Sequence, residues 1–205
     1  MSKPETEKQP MDQGRRTWIT IACGAGAVGA AGVAIPFVAS LTPSERAKAA
    51  GAPVEADISA LLPGQMMTVE WRGKPVWIVR RTPEQLASLK KTETDVADPK
   101  SQRKPDEVTP MESCRNQWRS IKPEVLVTVG ICSHLGCSPT EKFQTGAQPS
   151  LPANWEGGFF CPCHGSTFDM AGRVFKNKPA PDNLEVPLHR YLSDTKILIG
   201  EIQRA

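Results

Sequence analysis

Histidine is scarce in this chain, which has only three in 205 residues. The formal net charge of +3 is too small to imply a nucleic-acid partner, and no basic stripe interleaved with aromatic residues is present. The sequence also shows no internal repeat, no phosphate-binding glycine loop and no nucleophile motif of the hydrolase kind. These absences argue against a nucleic-acid-binding protein, a nucleotide-dependent enzyme and a hydrolase.

Two of the three histidines stand beside cysteines in two short blocks, CSHLGC and CPCHGS. The blocks supply six candidate ligands: Cys132, His134, Cys137, Cys161, Cys163 and His164. One cysteine and one histidine from each block can hold a 2Fe-2S cluster, with thiolates on one iron and imidazoles on the other. The two cysteines that remain can then be oxidised to each other and tie the blocks together.

The two blocks resemble the cluster-binding loops of the Rieske iron-sulfur proteins, in particular the disulfide-bearing type of quinol-oxidising cytochrome bc complexes. The resemblance covers both loops in full and, more loosely, most of the chain after residue 57. It implies one 2Fe-2S Rieske cluster, with Cys132 and Cys161 on one iron and His134 and His164 on the other.

The resemblance also assigns roles to residues around the cluster. It pairs Cys137 with Cys163, and it has the Ser166 hydroxyl donate to a bridging sulfide, which raises the reduction potential. Phe168 stands where the family usually carries a tyrosine whose hydroxyl donates to a ligating cysteine sulfur. We therefore predict a potential below that of tyrosine-bearing relatives, because one donor that tunes the cluster is missing.

Quinol contacts are implied in the same way. In the family, the residue matching His164 hydrogen-bonds the quinol oxygen, and Leu135 matches an apolar contact at the docking surface. Like His164, a liganded His134 keeps a second ring N–H, so the site can take up an electron and a proton together. Residues 176–184, KNKPAPDNL, resemble the proline-rich loop over the cluster, with Lys178 where a glycine is usual.

Other uses of these cysteines and histidines stay open. A structural zinc site is one alternative, although zinc ribbons usually show C-x2-C or H-x3-5-H spacing, which is absent here. Two structural disulfides are another, but they leave both loop histidines without a role. The remaining residues of these types are interpreted as incidental: Cys23 in an apolar segment, Cys114 as a free thiol, and His189 as a strand histidine without a metal role.

An apolar segment near the N-terminus predicts a membrane span. Residues 18–41 carry no charge, and this length suffices to cross a bilayer. Arg15 and Arg16 stand directly before it, as in a twin-arginine export signal. A cleavable signal peptide ending near Ala47-Lys48-Ala49 is the alternative, and the resemblance favours an uncleaved transmembrane anchor over 17–41.

The rest of the chain predicts a mainly β fold, an antiparallel Rieske-type β domain with a cluster-binding subdomain at one end. We expect a cytoplasmic segment 1–16, the anchor, a flexible hinge 42–56, and a cluster domain 57–205 whose cluster-binding part is about 131–182. A structural disulfide requires an oxidising compartment, so we place the cluster domain in the periplasm of a single-pass protein of the bacterial inner membrane.

Local patterns predict several elements of the cluster domain. GQMMTVEW and KPVWIVRR predict a hairpin turning at Arg72-Gly73, and Thr82-Pro83-Glu84-Gln85 predicts a capped helix start. Residues 92–120 are interpreted as an irregular surface insert. Further strands are expected at VLVTVGI, GRVF, LEVPL and ILIGEI.

These observations predict the iron-sulfur subunit of a proton-translocating quinol–cytochrome c oxidoreductase. It would take one electron from ubiquinol in a proton-coupled step and pass it to a c-type cytochrome. The expected partners are cytochrome b and cytochrome c subunits, ubiquinol and membrane lipid, with no nucleic acid. The alternatives are the small subunit of a periplasmic molybdenum oxidase, another Rieske electron carrier, and a membrane-anchored zinc or disulfide interaction module.

Overall fold

The computed structural model describes residues 12–44 and 51–202 of the chain. The chain divides into two units, residues 1–48 and 49–205, and each unit is described by itself. Three sequence predictions concern residues outside the described ranges: most of the segment 1–16, the alternative cleavage site at 47–49, and the middle of the expected hinge 42–56.

The described residues of the first unit, 12–44, contain one helix, α1 (Gln13–Ser40). Asp12 caps it by accepting hydrogen bonds from the backbone N–H of Gly14 at 3.0 Å and of Arg15 at 3.3 Å. The helix therefore begins before the twin arginines, earlier than the expected start at residue 17. At about 1.5 Å per residue it exceeds the roughly 30 Å of a bilayer core. By length and composition α1 can cross a membrane.

The second unit is built from nine antiparallel strands among the described residues. These are β1 (Val54–Asp57), β2 (Met66–Trp71), β3 (Lys74–Arg80), β4 (Val125–Val129), β5 (Thr140–Lys142), β6 (Gly158–Cys161), β7 (Ser166–Asp169), β8 (His189–Ser193) and β9 (Lys196–Ile199). They form three sheets, ordered β1-β9-β8, β2-β3-β4 and β5-β6-β7. The mainly β, antiparallel fold predicted from the sequence is confirmed.

The hairpin between β2 and β3 turns where the sequence predicts. Arg72 and Gly73 have φ values of +53° and +70°, and Trp71 pairs with Lys74 across the turn. Two successive positive φ values give the turn whose twist suits a two-residue hairpin. β3 lies between β2 and β4, so its apolar residues are fully covered on this central strand.

Helix α2 (Pro83–Lys91) follows β3, and its capping box is confirmed. The Thr82 hydroxyl accepts from the Gln85 backbone N–H at 3.3 Å, and the Gln85 side chain accepts from the Thr82 N–H at 2.9 Å. Leu89 on α2 is 3% exposed and packs into the core beneath the cysteine loops.

The interpretation of residues 92–120 as a surface insert is wrong. The segment contains the short helix α3 (Pro105–Val108) and a 3₁₀ turn at Glu112–Cys114, and its Arg119 side chain is 0% exposed. A buried guanidinium is tolerated only when its N–H groups are hydrogen-bonded. Arg119 donates to the hydroxyls of Ser101 and Thr109 and to the carbonyls of Val108, Ala171, Gly172 and Leu184.

Three further sequence assignments need correction. GRVF forms no strand and makes only isolated bridges, from Val174 to Phe168 and from Phe175 to Val96. LEVPL also forms no strand, because its backbone groups bond to four separate partners, Val108, Val129, Gly172 and Gly200, instead of along one strand. Finally, β1 begins at Val54, so the last three residues of the expected hinge are paired with β9.

Candidate metal centre

Two loops at the ends of buried strands carry the cysteine and histidine blocks. The first follows β4, all of whose residues are buried, and the second is the tip of the β6–β7 hairpin. In that hairpin Cys161, the last residue of β6, pairs with Ser166, the first of β7. The second loop is therefore anchored on both sides by one strand pair.

Both loops contain the same turn. The Cys132 carbonyl accepts from the Gly136 N–H at 3.1 Å, and the Cys161 carbonyl accepts from the Gly165 N–H at 3.0 Å. The two glycines have φ values of +81° and +76°, a conformation that is costly for residues with a Cβ. A cysteine and a glycine four residues later thus close each loop locally.

A disulfide bond joins Cys137 to Cys163, which is the pairing that the resemblance implies. It links the two loops, and the backbone N–H of Cys132 also donates to the Cys137 carbonyl at 2.8 Å. The sulfurs of Cys137, Cys161 and Cys163 lie within 4.8 Å of one another. Because two of these three are bonded to each other, that group is not by itself a set of metal ligands.

The two other loop cysteines are free and face the interior. Cys132 and Cys161 are each 2% exposed. Burial raises the pKa of the Cys132 thiol, a smaller effect of the Ser166 hydroxyl lowers it, and Cys161 adds to the rise as a hydrogen-bonding neighbour. The two thiols therefore lie side by side.

The two loop histidines face each other. The ring centroids of His134 and His164 are 4.7 Å apart, with the ring planes at 89°. His134 is half-buried, whereas His164 is exposed. The structure thus places the two free loop cysteines in one buried core and the two loop imidazoles against each other.

This donor set fits a 2Fe-2S cluster of the Rieske type. Nδ1 of His134 is buried and has no hydrogen-bond partner among the described residues. Buried polar nitrogens are almost always partnered, so an orphan ring nitrogen beside two buried thiols is suited to coordination. Two thiolates and two imidazoles are the donors that distinguish Rieske clusters from all-cysteine ones.

The side chains predicted to tune or expose the site lie where they can do so. Ser166 and Phe168 on β7 are both 0% exposed, and Phe168 packs in the same core as Cys132 and Cys161. Leu135, between the loop histidine and glycine, is 70% exposed. An exposed leucine at a loop tip is poorly placed for the fold and well placed for a partner or ligand.

The proline loop is bound to both cysteine loops. The Ala180 N–H donates to Ser166 Oγ at 3.0 Å, next to the second loop. On the first loop, Ser133 Oγ donates to the Asp182 carbonyl at 2.6 Å and accepts from the Asp182 N–H at 3.3 Å. Sequence reasoning missed Ser133, since a serine between two candidate ligands carries no distinctive pattern.

The left-handed position of the proline loop lies at Asn177, with φ +57°. The family's glycine is usual one residue later, where this chain has Lys178. Asparagine tolerates the left-handed region better than lysine does. The left-handed residue of this loop is thus an asparagine, and the loop contacts Ser166 through Ala180.

The three residues interpreted as incidental lie outside the two cysteine loops. His189, the first residue of β8, is 2% exposed, and its Nδ1 lies 2.8 Å from the Pro187 carbonyl, so the predicted strand position is confirmed. Cys114 is a fully buried free thiol in the 3₁₀ turn. Cys23 lies on α1.

Comparison with known proteins agrees with this geometry. Residues 53–190 match the model of the Rieske [2Fe-2S] domain, and residues 4–44 match the ubiquitinol-cytochrome C reductase Fe-S subunit TAT signal. The chain is 56% identical over 189 residues to the ubiquinol-cytochrome c reductase iron-sulfur subunit of Allochromatium vinosum, covering 91% of this chain and 88% of the relative.

A second relative with the same name, from Bradyrhizobium diazoefficiens, is 41% identical over 188 residues, covering 91% of this chain and 94% of the relative. A solved structure titled "Hyperthermophilic respiratory Complex III" is 28% identical, covers 87% of this chain and 98% of its own, and has a TM-score of 0.46. From the domain match, the two relatives and the paired thiols and imidazoles, we conclude that the chain belongs to the Rieske [2Fe-2S] protein family.

Proposed function

We propose that the chain is the iron-sulfur subunit of a quinol–cytochrome c oxidoreductase, a membrane complex that oxidises ubiquinol and reduces a c-type cytochrome. The observation that carries the proposal is the exposed His164 ring beside the buried ligand cysteines, with the 70% exposed Leu135 on the facing loop. The relatives' name, ubiquinol-cytochrome c reductase iron-sulfur subunit, supports it.

In this proposal Cys132 and Cys161 hold one iron, and His134 and His164 hold the other. When bound, the 2Fe-2S cluster supplies one-electron acceptor and donor chemistry. Both cysteines are buried, so the protein shields the sulfur side from water. The Cys137–Cys163 disulfide keeps the two loops in register, and Ser133 holds the proline loop against them.

His164 and Leu135 form the quinol-facing surface. Each one-electron step would remove one electron and one proton from the quinol. The electron would pass on to the c-type cytochrome, and the proton would go to the outer ring nitrogen of His164, whose own proton would first be released because the oxidised metal centre makes that ring N–H acidic. That ring is exposed, so a quinol oxygen can approach it. Leu135 offers an apolar contact for the quinone ring and displaces water there.

The chain acts as one subunit of this complex, with cytochrome b completing the quinol pocket and a c-type cytochrome subunit as acceptor. We place α1 in the bacterial inner membrane as a single-pass anchor and the cluster domain in the periplasm. The twin-arginine match over residues 4–44 and the disulfide support this orientation. Since β1 begins at Val54, the proposed hinge shortens from 42–56 to 42–53.

The first experiment is low-temperature EPR of the dithionite-reduced complex. A rhombic signal with an average g below that of all-cysteine ferredoxins is expected for histidine ligation. Copurification with b- and c-type haems distinguishes this complex from a periplasmic molybdenum oxidase. A protein that contains zinc, lacks iron and gives no signal would contradict the proposal.

Leu135→Ala tests the quinol surface in the same complex. Ubiquinol oxidation should fall severalfold while the EPR signal stays intact, because the apolar contact is lost and the ligands remain. Leu62→Ala is the matched control, since Leu62 is 60% exposed but lies between β1 and β2, outside the cysteine loops. Equal rates for both variants would remove Leu135 from the quinol surface.

A further inference from the structure

A basic cleft borders the proline loop. It has a volume of about 310 Å³ and is lined by Ala97, Arg103, Phe175, Lys176, Asn177, Lys178, Ala180 and Pro181. Its charged lining residues are three cations, Arg103, Lys176 and Lys178, and no carboxylate lines it. Three like charges around one concavity create a positive potential that favours an anionic group.

None of the three cations has an ion-pair partner in the part of the chain that the structure describes. Arg103 donates to the Pro181 carbonyl at 3.2 Å, and Lys176 donates to the Thr94 carbonyl at 2.6 Å. Both bonds fix the side chains without neutralising them. Lys178 is exposed at the rim.

Nearby acidic groups compensate this charge only in part. Asp182, at the end of the proline loop, lies 3.4 Å from Lys104 and so neutralises a cation outside the cleft. Asp95 and Glu156 line an adjoining cleft that shares Lys176 and Lys178, and Glu156 is paired with Lys91 at 2.8 Å. Asp98 also lies close, because its carboxylate accepts from the backbone N–H of Arg103 at 2.9 Å. Asp95 and Asp98 together offset two of the three cations, so the cleft keeps an excess of positive charge.

The cleft lies next to the cluster loops. Its border residue Ala180 is bonded to Ser166, and Asp182, one residue after Pro181, is bonded to Ser133 between two ligands. A protein that receives electrons must approach these loops closely, because electron transfer weakens steeply with distance. The rim of such a protein then meets the proline loop and the cleft beside it.

We propose that this cleft receives acidic side chains from the rim of the electron-accepting cytochrome and so holds the cluster domain in its electron-donating position. The inference rests on the proposed function and adds to it a docking contact outside the quinol surface. Arg103 presents a planar fork of donors that suits a carboxylate. Lys176 adds a charge held in place by the Thr94 carbonyl, and Lys178 adds an exposed charge at the rim.

A membrane surface fits the cleft less well. Polybasic lipid-binding segments use four to eight cations, and only three line this cleft. None of the exposed large apolar side chains of the described cluster domain lines the cleft. The one aromatic residue that lines it, Phe175, packs against Trp155, with the two ring centroids 5.6 Å apart. Insertion into lipid thus lacks both the charge and the apolar surface it needs.

Charge reversal at the rim tests the proposal in the intact complex. Lys178→Glu, alone and with Lys176→Glu, is compared with Lys90→Glu, an exposed lysine on α2 that has no ion pair among the described residues. Reduction of the cluster by ubiquinol and of the c-type haem by the cluster are followed separately by stopped flow. Each is measured over a range of ionic strength, in vesicles with and without anionic phosphatidylglycerol.

We expect Lys178→Glu to slow haem reduction about tenfold at low ionic strength and to remove its dependence on salt. Cluster reduction, its EPR signal and its midpoint potential should match wild type, and Lys90→Glu should leave both steps unchanged. An equal effect of Lys90→Glu, or no effect of either variant, would overturn the docking contact. So would an effect restricted to anionic vesicles, which would assign the cleft to lipid headgroups.

The same traces separate this inference from the proposed function. If ubiquinol fails to reduce the cluster in the wild-type complex, the proposed function is wrong. If it reduces the cluster normally while haem reduction is indifferent to Lys176 and Lys178, only the docking contact is wrong.

Discussion

The backbone N–H of Ala180 donates a hydrogen bond of 3.0 Å to the side-chain oxygen of Ser166. The proline loop thus satisfies the acceptor side of this hydroxyl from one direction. Because a hydroxyl both accepts and donates, its proton stays available for a sulfur of the cluster. Ser166 is 0% exposed, so no water competes for that proton.

Ser166→Ala should lower the midpoint potential. The lost donor stabilises the reduced cluster more than the oxidised one, and a difference near 1.4 kcal/mol corresponds to about 60 mV for one electron. Redox titration followed by EPR measures the shift. Ser133→Ala is the control, because that hydroxyl is engaged with Asp182; a similar fall in both variants would point to loop disorder instead of a lost donor.

Phe168→Tyr should raise the midpoint potential by a similar amount. Phe168 is fully buried in the core that contains both ligand cysteines, so a new hydroxyl there can donate to a cysteine sulfur. The shift is read from the same titration. An unchanged or lower midpoint would show that the missing tyrosine hydroxyl does not account for the tuning of this cluster.

Gly158→Ala should prevent stable pairing of β6 with β7. A Cβ at this position would lie 2.0 Å from the Phe168 carbonyl oxygen and 2.9 Å from the Asp169 Cα, both of them backbone atoms. Gly73→Ala is the control, because that hairpin glycine has φ +70° but open space around it, and should cost only about 1 kcal/mol. Thermal unfolding and iron content of both variants test this, and equal losses would contradict the steric argument.

Cys114 should make the protein less stable at alkaline pH. Burial raises the pKa of its thiol from 9.0 to about 11. Between these values the unfolded chain loses the proton while the folded chain keeps it, so stability is full below pH 9 and falls as pH rises towards 11. At pH 10 the loss is about 1.4 kcal/mol.

Urea unfolding of wild type and Cys114→Ala at pH 8 and pH 10 isolates the effect of Cys114 ionisation on the free energy of unfolding. The packing cost of the substitution is the same at both pH values, and the titration of every other group is the same in both proteins. The difference in the free energy of unfolding between wild type and Cys114→Ala should therefore be smaller at pH 10 than at pH 8 by about 1 to 1.5 kcal/mol. A gap that stays constant would show that the Cys114 thiol ionises normally in the folded chain.

Features closed by bonds between near neighbours could be predicted from the sequence. The capping box at Thr82, the hairpin turn at Arg72-Gly73 and the apolar character of α1 each depend on residues a few positions apart. The two cysteine blocks belong with them, because each loop closes from a cysteine to a glycine four residues on. Short-range hydrogen bonds and composition suffice to specify such features.

Features that join distant segments could not be predicted in this way. Arg119 stands in a polar, proline-rich stretch, and only the carbonyls of residues 171, 172 and 184 make its burial possible. LEVPL has the composition of a strand, yet its backbone hydrogen bonds go to four separate residues, Val108, Val129, Gly172 and Gly200. Composition describes what a segment can bury, whereas its partners depend on the whole chain.

The sequence by itself determined the chemistry of this protein: the donor types, their spacing and the apolar anchor segment are all local properties of the chain. Tertiary structure alone decided how those donors are presented. It left Nδ1 of His134 buried without a partner, exposed the His164 ring, and set Arg103 beside Lys176 and Lys178 in one cleft. Burial and electrostatic potential sum over residues far apart in sequence, so only the folded chain can specify them.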